Sequence, residues 1–200
     1  MKYLALIAIL LIVGCSSTPA PSLKQYLLRA DSPIKYTSQG SQQVATKISL
    51  GKVAVASYID GLGLVLERSD GQVHIARDYQ WAEPLRLSLR SFLSNRISTE
   101  LGQPVRAYGY GSISISSSSS NNKGLSKRID VRIDELHGTK NGEAKLVAFW
   151  AVIDSDKQTV LSENSFYDTE ALSHDGYGAL VAAEKVLLTR LASSISATLN

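Results

Sequence analysis

Across residues 127–136 apolar and polar positions alternate, strictly so from 128 to 134. Ile129, Val131 and Ile133 fall on one face, and Arg128, Asp130, Arg132 and Asp134 on the other. A period of two predicts a strand with one buried and one wet face. The run 145–153, which includes Leu146, Val147, Ala148, Phe149, Trp150, Ala151 and Val152, is apolar on both faces and predicts a central strand. Residues 158–169 return as a third strand after Asp154-Ser155-Asp156, and Asn141-Gly142 marks a tight turn between the first two. An earlier strand group precedes these. It comprises 24–29, then 46–57 with a break near Gly51, then 61–68 and 72–76 around Ser69-Asp70-Gly71, an Asp-Gly hairpin signal.

The period changes between 81 and 101. Trp81, Leu85, Leu89, Phe92, Leu93, Ile97 and Leu101 recur at three- and four-residue spacing, with Pro84 suited to a first turn and Gly102 to a stop. A second amphipathic helix is predicted over 176–199, with Tyr177, Leu180, Val181, Leu187, Leu188, Leu191, Ile195 and Leu199 on its stripe. Residues 105–108 form a short strand, while 31–43 and the serine-rich 109–124 read as loops. Two strand groups, each closed by a helix, predict an α+β fold: an antiparallel or mixed sheet with two amphipathic helices packed against it. One domain over 24–200 holds all of these elements.

The N-terminus follows another logic. Lys2 precedes an apolar stretch of about 11 residues, far below the roughly 20 that span a bilayer as a helix. The stretch ends in Leu11-Ile12-Val13-Gly14-Cys15-Ser16, which resembles a bacterial lipobox. The thiol of Cys15 would attack a diacylglyceryl phospholipid to form a thioether, and the small Gly14 lets the signal peptidase reach the backbone. Residues 1–14 then leave as a signal peptide, and 15–23 become a lipidated terminus and linker. Two or three acyl chains on Cys15 anchor stably where one chain does not. Ser16, where aspartate would favour inner-membrane retention, points to the outer membrane.

Composition narrows the chemistry further. Cys15 is the only cysteine, so its lipidation leaves no thiol for a disulfide. The formal charge of +3 drops by one when Lys2 leaves, and no basic run is dense enough for nucleic acid. His74, His137 and His174 are widely separated, which argues against a metal site. No Gly-x-Ser-x-Gly elbow occurs, and Gly61-x-Gly63 lacks the third glycine of a dinucleotide loop. The expectation is a protein without catalytic residues, metal or cofactor.

Several short pieces recur in a telling order behind the lipobox. They are Lys24-Gln25-Tyr26-Leu27-Leu28, then Val53-Ala54-Val55-Ala56-Ser57-Tyr58-Ile59-Asp60-Gly61, then Leu64-Val65. Asp78-Tyr79-Gln80 follows, leading to Trp81-Ala82-Glu83-Pro84-Leu85, and Gly176-Tyr177-Gly178-Ala179-Leu180-Val181 opens a helix ending in Leu191-Ala192-Ser193-Ser194-Ile195. In this order and spacing the chain resembles the ABC-type transport auxiliary lipoproteins. It departs from them where Ala56-Ser57 replaces a proline before the Tyr58 turn, and in the serine tract, which looks inserted. The resemblance implies an outer-membrane lipoprotein facing the periplasm that docks with an MCE-domain protein and an inner-membrane permease to move phospholipid or related lipid. A homo-oligomer stays open. A structural lipoprotein that recruits a cell-wall enzyme or stabilises an outer-membrane assembly is the rival. The expected partner surface is the turn Tyr58, Ile59, Asp60 and Leu62, apolar and aromatic where loops are normally polar. Packing of Tyr58 against Trp81 in the core is the plainer account of the same residues.

Overall fold

Three consecutive strands carry most of the hydrogen bonding. In the computed structural model, which describes residues 22–30, 47–107 and 126–199, these are β6 (Ser126–Gly138), β7 (Glu143–Asp154) and β8 (Thr159–Ala171). Cys15, most of the linker, the loop 31–43 and the serine tract lie outside the described residues. β6 and β7 pair antiparallel from Lys127↔Asp154 to Gly138↔Ala144, and β7 and β8 from Glu143↔Ala171 to Asp154↔Thr159. The earlier strands are β1 (Lys24–Tyr26), β2 (Lys47–Val55), β3 (Gly63–Glu67), β4 (Val73–Trp81) and β5 (Arg106–Ala107). They continue one eight-stranded sheet in the order β1-β4-β3-β6-β2-β5. β2 runs parallel to β5 and β6, and β1 parallel to β4, so the sheet is mixed. The predicted break in β2 is present as a register shift between Leu50 and Val53.

Both hairpin turns form where their dipeptides stand. Gly71 (φ 76°) and Gly142 (φ 73°) take left-handed conformations that other residues resist. Arg68 N–H donates to Gln72 O at 2.8 Å and Thr139 N–H to Glu143 O at 2.7 Å, closing the two loops.

α1 (Leu85–Leu101) and α2 (Tyr177–Ala197) pack on each other and on one face of the sheet. The first begins later than the periodicity implies. Trp81 is the last residue of β4, paired with Tyr26, because Pro84 disfavours helical geometry at Glu83 and starts the helix itself. Trp81 is nevertheless buried, which is why it fitted the apolar stripe. The core joins Leu85, Leu89, Phe92 and Ile97 of α1 to Ile129, Ile133, Leu146 and Ala148 of the sheet and Leu187, Leu191 and Ile195 of α2.

Two buried serines of α1 tie down the chain that follows it. Ser94 Oγ donates to Val105 O at 2.7 Å, and Val105 N–H donates to Ser98 Oγ at 2.9 Å. Ser98→Ala would leave that buried N–H without an acceptor, a loss of about 1–3 kcal/mol. A denaturant midpoint lowered to that extent at unchanged slope is the expected readout.

One carboxylate interrupts the apolar stripe of α2. Glu184 is 1% exposed, lies one turn from both Leu180 and Leu188, and has no hydrogen-bond partner at Oε2.

Candidate functional site

The turn between β2 and β3 is fastened at several points. Ala56 N–H donates to Ile133 O at 2.9 Å, and Ile59 N–H to Ala56 O at 3.1 Å. Ile59 points inward and is 1% exposed. Asp60 pairs with Arg86 of α1 at 2.8 Å, which ties the turn to the start of that helix. Leu62 alone of the four expected surface residues presents a largely solvent-facing apolar side chain, at 44% exposure. Tyr58 is half-buried against the core, and its hydroxyl donates to Asp134 O at 3.2 Å. Tyr58 and Ile59 thus pack inward, against the expectation of a surface made by all four residues, Asp60 is tied to α1, and only Leu62 leaves an exposed apolar side chain.

Tyr58 leads into a polar network at the end of β6. Its ring centroid lies 6.0 Å from that of the buried His137. His137 Nδ1 is 3.1 Å from Gly138 O and its Nε2 is 3.2 Å from Glu135 Oε2. Lys145 of β7 reaches the same carboxylate oxygen at 2.7 Å. Burial, then Glu135, Glu67 and Asp134, push the Tyr58 phenol up to about 12. Burial by itself would raise the Glu135 carboxyl, but its bonds to Lys145 and His137 outweigh that and leave it below the ordinary value. The bond to Glu135 raises Lys145. A phenol held protonated and an ammonium held charged are donors, not bases or nucleophiles. The arrangement clamps β6, β7 and the turn together.

Among the described residues nothing covers the face of the sheet opposite the helices. Alternation places Lys145, Val147, Phe149 and Ala151 of β7 there, beside Asp130 and Arg132 of β6. β7 is central, flanked by β6 and β8, but only one of its faces is buried: Leu146, Ala148, Trp150 and Val152 meet the core, while Phe149 is exposed. The Arg132 guanidinium lies 4.6 Å from the Phe149 ring centroid, and Lys145 sits 5.8 Å from that of the exposed Tyr167 on β8. A groove of about 410 Å³ runs across this face between Lys52, Asp130, Arg132, Phe149 and Glu163. Asp130 and Asp134 are held by ion pairs to Arg128 at 3.2 Å and Arg132 at 2.9 Å, not by each other. Phe149 and Tyr167 escaped the sequence reading because an aromatic residue in an apolar run signals core. Among the described residues no group of three or more metal-ligating side chains converges, and no helix is long and apolar enough to cross a membrane.

A fold of two helices on one face of a mixed sheet is shared by many proteins, so the family is decided by sequence. The ABC-type transport auxiliary lipoprotein component family matches residues 26–196, from β1 to the last turn of α2. The chain belongs to that family. The intermembrane transport lipoprotein PqiC of Escherichia coli (strain K12) is 27% identical over 197 residues, which is 98% of this chain and 95% of PqiC. A solved structure of an uncharacterised protein superposes with a TM-score of 0.69 at 22% identity, covering 90% of this chain and 99% of that one. A second, from Xanthomonas campestris, gives 0.62 at 14% identity, covering 86% and 92%. Both share the fold of this auxiliary lipoprotein family member.

Proposed function

We propose that this protein is a lipid-anchored, periplasm-facing auxiliary component of an intermembrane lipid transport system, held to the outer membrane through Cys15. It acts by docking, without making or breaking bonds. The observation that carries this reading is the family match over 26–196, joined by near end-to-end similarity to a protein named for intermembrane transport. The lipobox around Cys15 and the serine after it support the anchor and its destination. An MCE-domain protein and an inner-membrane permease are the expected partners, with phospholipid as cargo. The tether argues for a partner that crosses the space, because about eight linker residues reach at most roughly 28 Å.

Leu62 is the residue of the turn through which docking is best probed, since Ile59 and Tyr58 also support the core. Crosslinked envelopes carrying the wild-type chain should yield an MCE-domain protein and a permease on affinity capture. Leu62→Asp should deplete both while leaving the thermal transition in place. Recovery of a cell-wall synthase, with neither transport component, would overturn the proposal.

A further inference from the structure

The break in β2 makes room for a charged cleft. Where the strand shifts register between Leu50 and Val53, Gly51 supplies no side chain, and a Cβ there would collide with Asp130 Oδ1 and the Arg128 side chain. Lys52 N–H donates to Asp130 Oδ1 at 3.0 Å, and Arg128 Nε lies 3.2 Å from the same oxygen. Asp130 is therefore satisfied from within the protein. Two further cations, Lys52 and Arg90 of α1, border the same cleft of about 620 Å³, which sets three positive side chains against one carboxylate. Arg90 Nε is buried and has no hydrogen-bond partner among the described residues, and Arg128 Nε, despite its ion pair, makes no aligned hydrogen bond.

The turn from β7 to β8 completes the wall. Ser155 N–H donates to Ser126 O at 2.7 Å, which brings two serine hydroxyls to the cleft. Gln158, beside them, is the one described residue other than glycine with a left-handed backbone (φ 54°), and its amide donates to Ser155 O at 2.6 Å. Backbone held in such a conformation is frequent at ligand sites. The groups left without partners are donors, and the one carboxylate is already occupied. A buried donor without an acceptor costs stability, so the fitting occupant brings acceptor oxygens and negative charge. Guanidinium forks arriving from a helix and from a strand suit the tetrahedral oxygens of phosphate, which a planar carboxylate does not match in three directions.

We propose that the cleft between Arg90, Lys52 and Arg128 binds the phosphate group of a phosphate ester. Its volume falls among pockets of about 300–1,000 Å³ that hold whole small molecules, so a bare phosphate leaves most of it empty. Lys52 and Asp130 also line the groove over Phe149, so the two adjoin and an apolar tail has a path away from the charges. A phospholipid headgroup meets both conditions. That the ester is a lipid rests on the transport reading above; that the cleft takes phosphate does not.

The test titrates the full chain, extracted in a nonionic detergent, with inorganic phosphate, glycerophosphoglycerol and the soluble lipid dihexanoyl phosphatidylglycerol at fixed ionic strength. Phosphorus NMR line broadening and the thermal transition read binding. Saturable binding of the two diesters is expected, and Arg90→Gln should weaken it about tenfold or more. The unliganded melting temperature should not fall, because Arg90 has no ion pair to lose among the described residues. Lys52→Gln, at an exposed position, should also weaken binding and carries the test if the Arg90 variant folds poorly. Leu62→Asp should bind the probes like wild type, so a failed docking surface and a failed phosphate site give different results. Tighter binding of the lipid than of inorganic phosphate identifies a headgroup as the ligand; equal affinity supports the site with free phosphate as its source. No saturable binding of any probe, or binding unchanged in both variants of the cleft, would overturn the proposal.

Discussion

Replacing Glu184 with leucine is expected to make the protein markedly more stable at neutral pH and to remove most of its loss of stability between pH 5 and 8. Burial pushes this carboxyl up to about 8 from an ordinary 4.5. The sign follows from proton counting. Below 4.5 the folded and unfolded chains both hold the proton, and Glu184 contributes no pH dependence. Between 4.5 and 8 the unfolded chain releases it while the folded chain keeps it, so stability falls as pH rises. At pH 7 the deficit is about 3 kcal/mol, taking 1.36 kcal/mol for each unit of displacement.

Leucine fills a similar volume among Leu180, Leu187, Leu188 and Leu191 and leaves no polar atom without a partner. For a domain of this size 1 kcal/mol shifts the melting temperature by about 2–4 °C, so a rise of roughly 6–12 °C is expected at pH 7. At pH 4 the gain should shrink to what removal of the unpartnered oxygen provides. Glu184→Gln separates the two contributions, because it removes the ionisation and keeps a buried polar group. Melting curves of the three proteins at pH 4, 5.5 and 7 decide the matter. A leucine variant no more stable than wild type at pH 7, or one with the same pH slope, would show that the carboxyl finds a partner in solution.

Local patterns in the chain translated well into elements, and their failures have physical causes. The strict alternation of residues 129–134 gave β6, and the Asp70-Gly71 and Asn141-Gly142 pairs gave both hairpin turns. Trp81 was misplaced because a buried strand residue and a buried helix residue look alike at three- and four-residue spacing, and only Pro84 separates them. The open face of β7 was illegible for a different reason. Val147, Phe149 and Ala151 are apolar, so the period of two vanishes although one side faces water. The Tyr58 network escaped because its members come from three separate stretches: the hydroxyl bond to Asp134 O spans 76 positions, and parallel pairing of β2 with β6 brings them together. The same limit applies to Glu184, whose stripe neighbours could be named from spacing while its missing partner could not.

Cys15→Ser is expected to abolish acylation and with it attachment to the outer membrane. Thioether formation needs a sulfur nucleophile, and a serine hydroxyl, far less acidic and less nucleophilic, does not replace it. The lipoprotein peptidase acts on the acylated form, so the variant should persist as a full-length precursor without incorporated fatty acid. Among the described residues the core already runs from β1 to α2, so the domain should keep its fold and its melting temperature. The loss in anchoring is large. Each buried methylene contributes about 0.8 kcal/mol, and two chains together exceed what the short apolar run before Gly14 provides by lying in one leaflet. Labelling cells with radioactive fatty acid, then fractionating inner and outer membranes, reads both consequences at once. Wild type should carry label and sediment with the outer membrane, and Cys15→Ser should carry none and remain with the inner membrane or the soluble fraction. Label on the serine variant, or wild-type protein confined to the inner membrane, would contradict the anchor or its destination respectively.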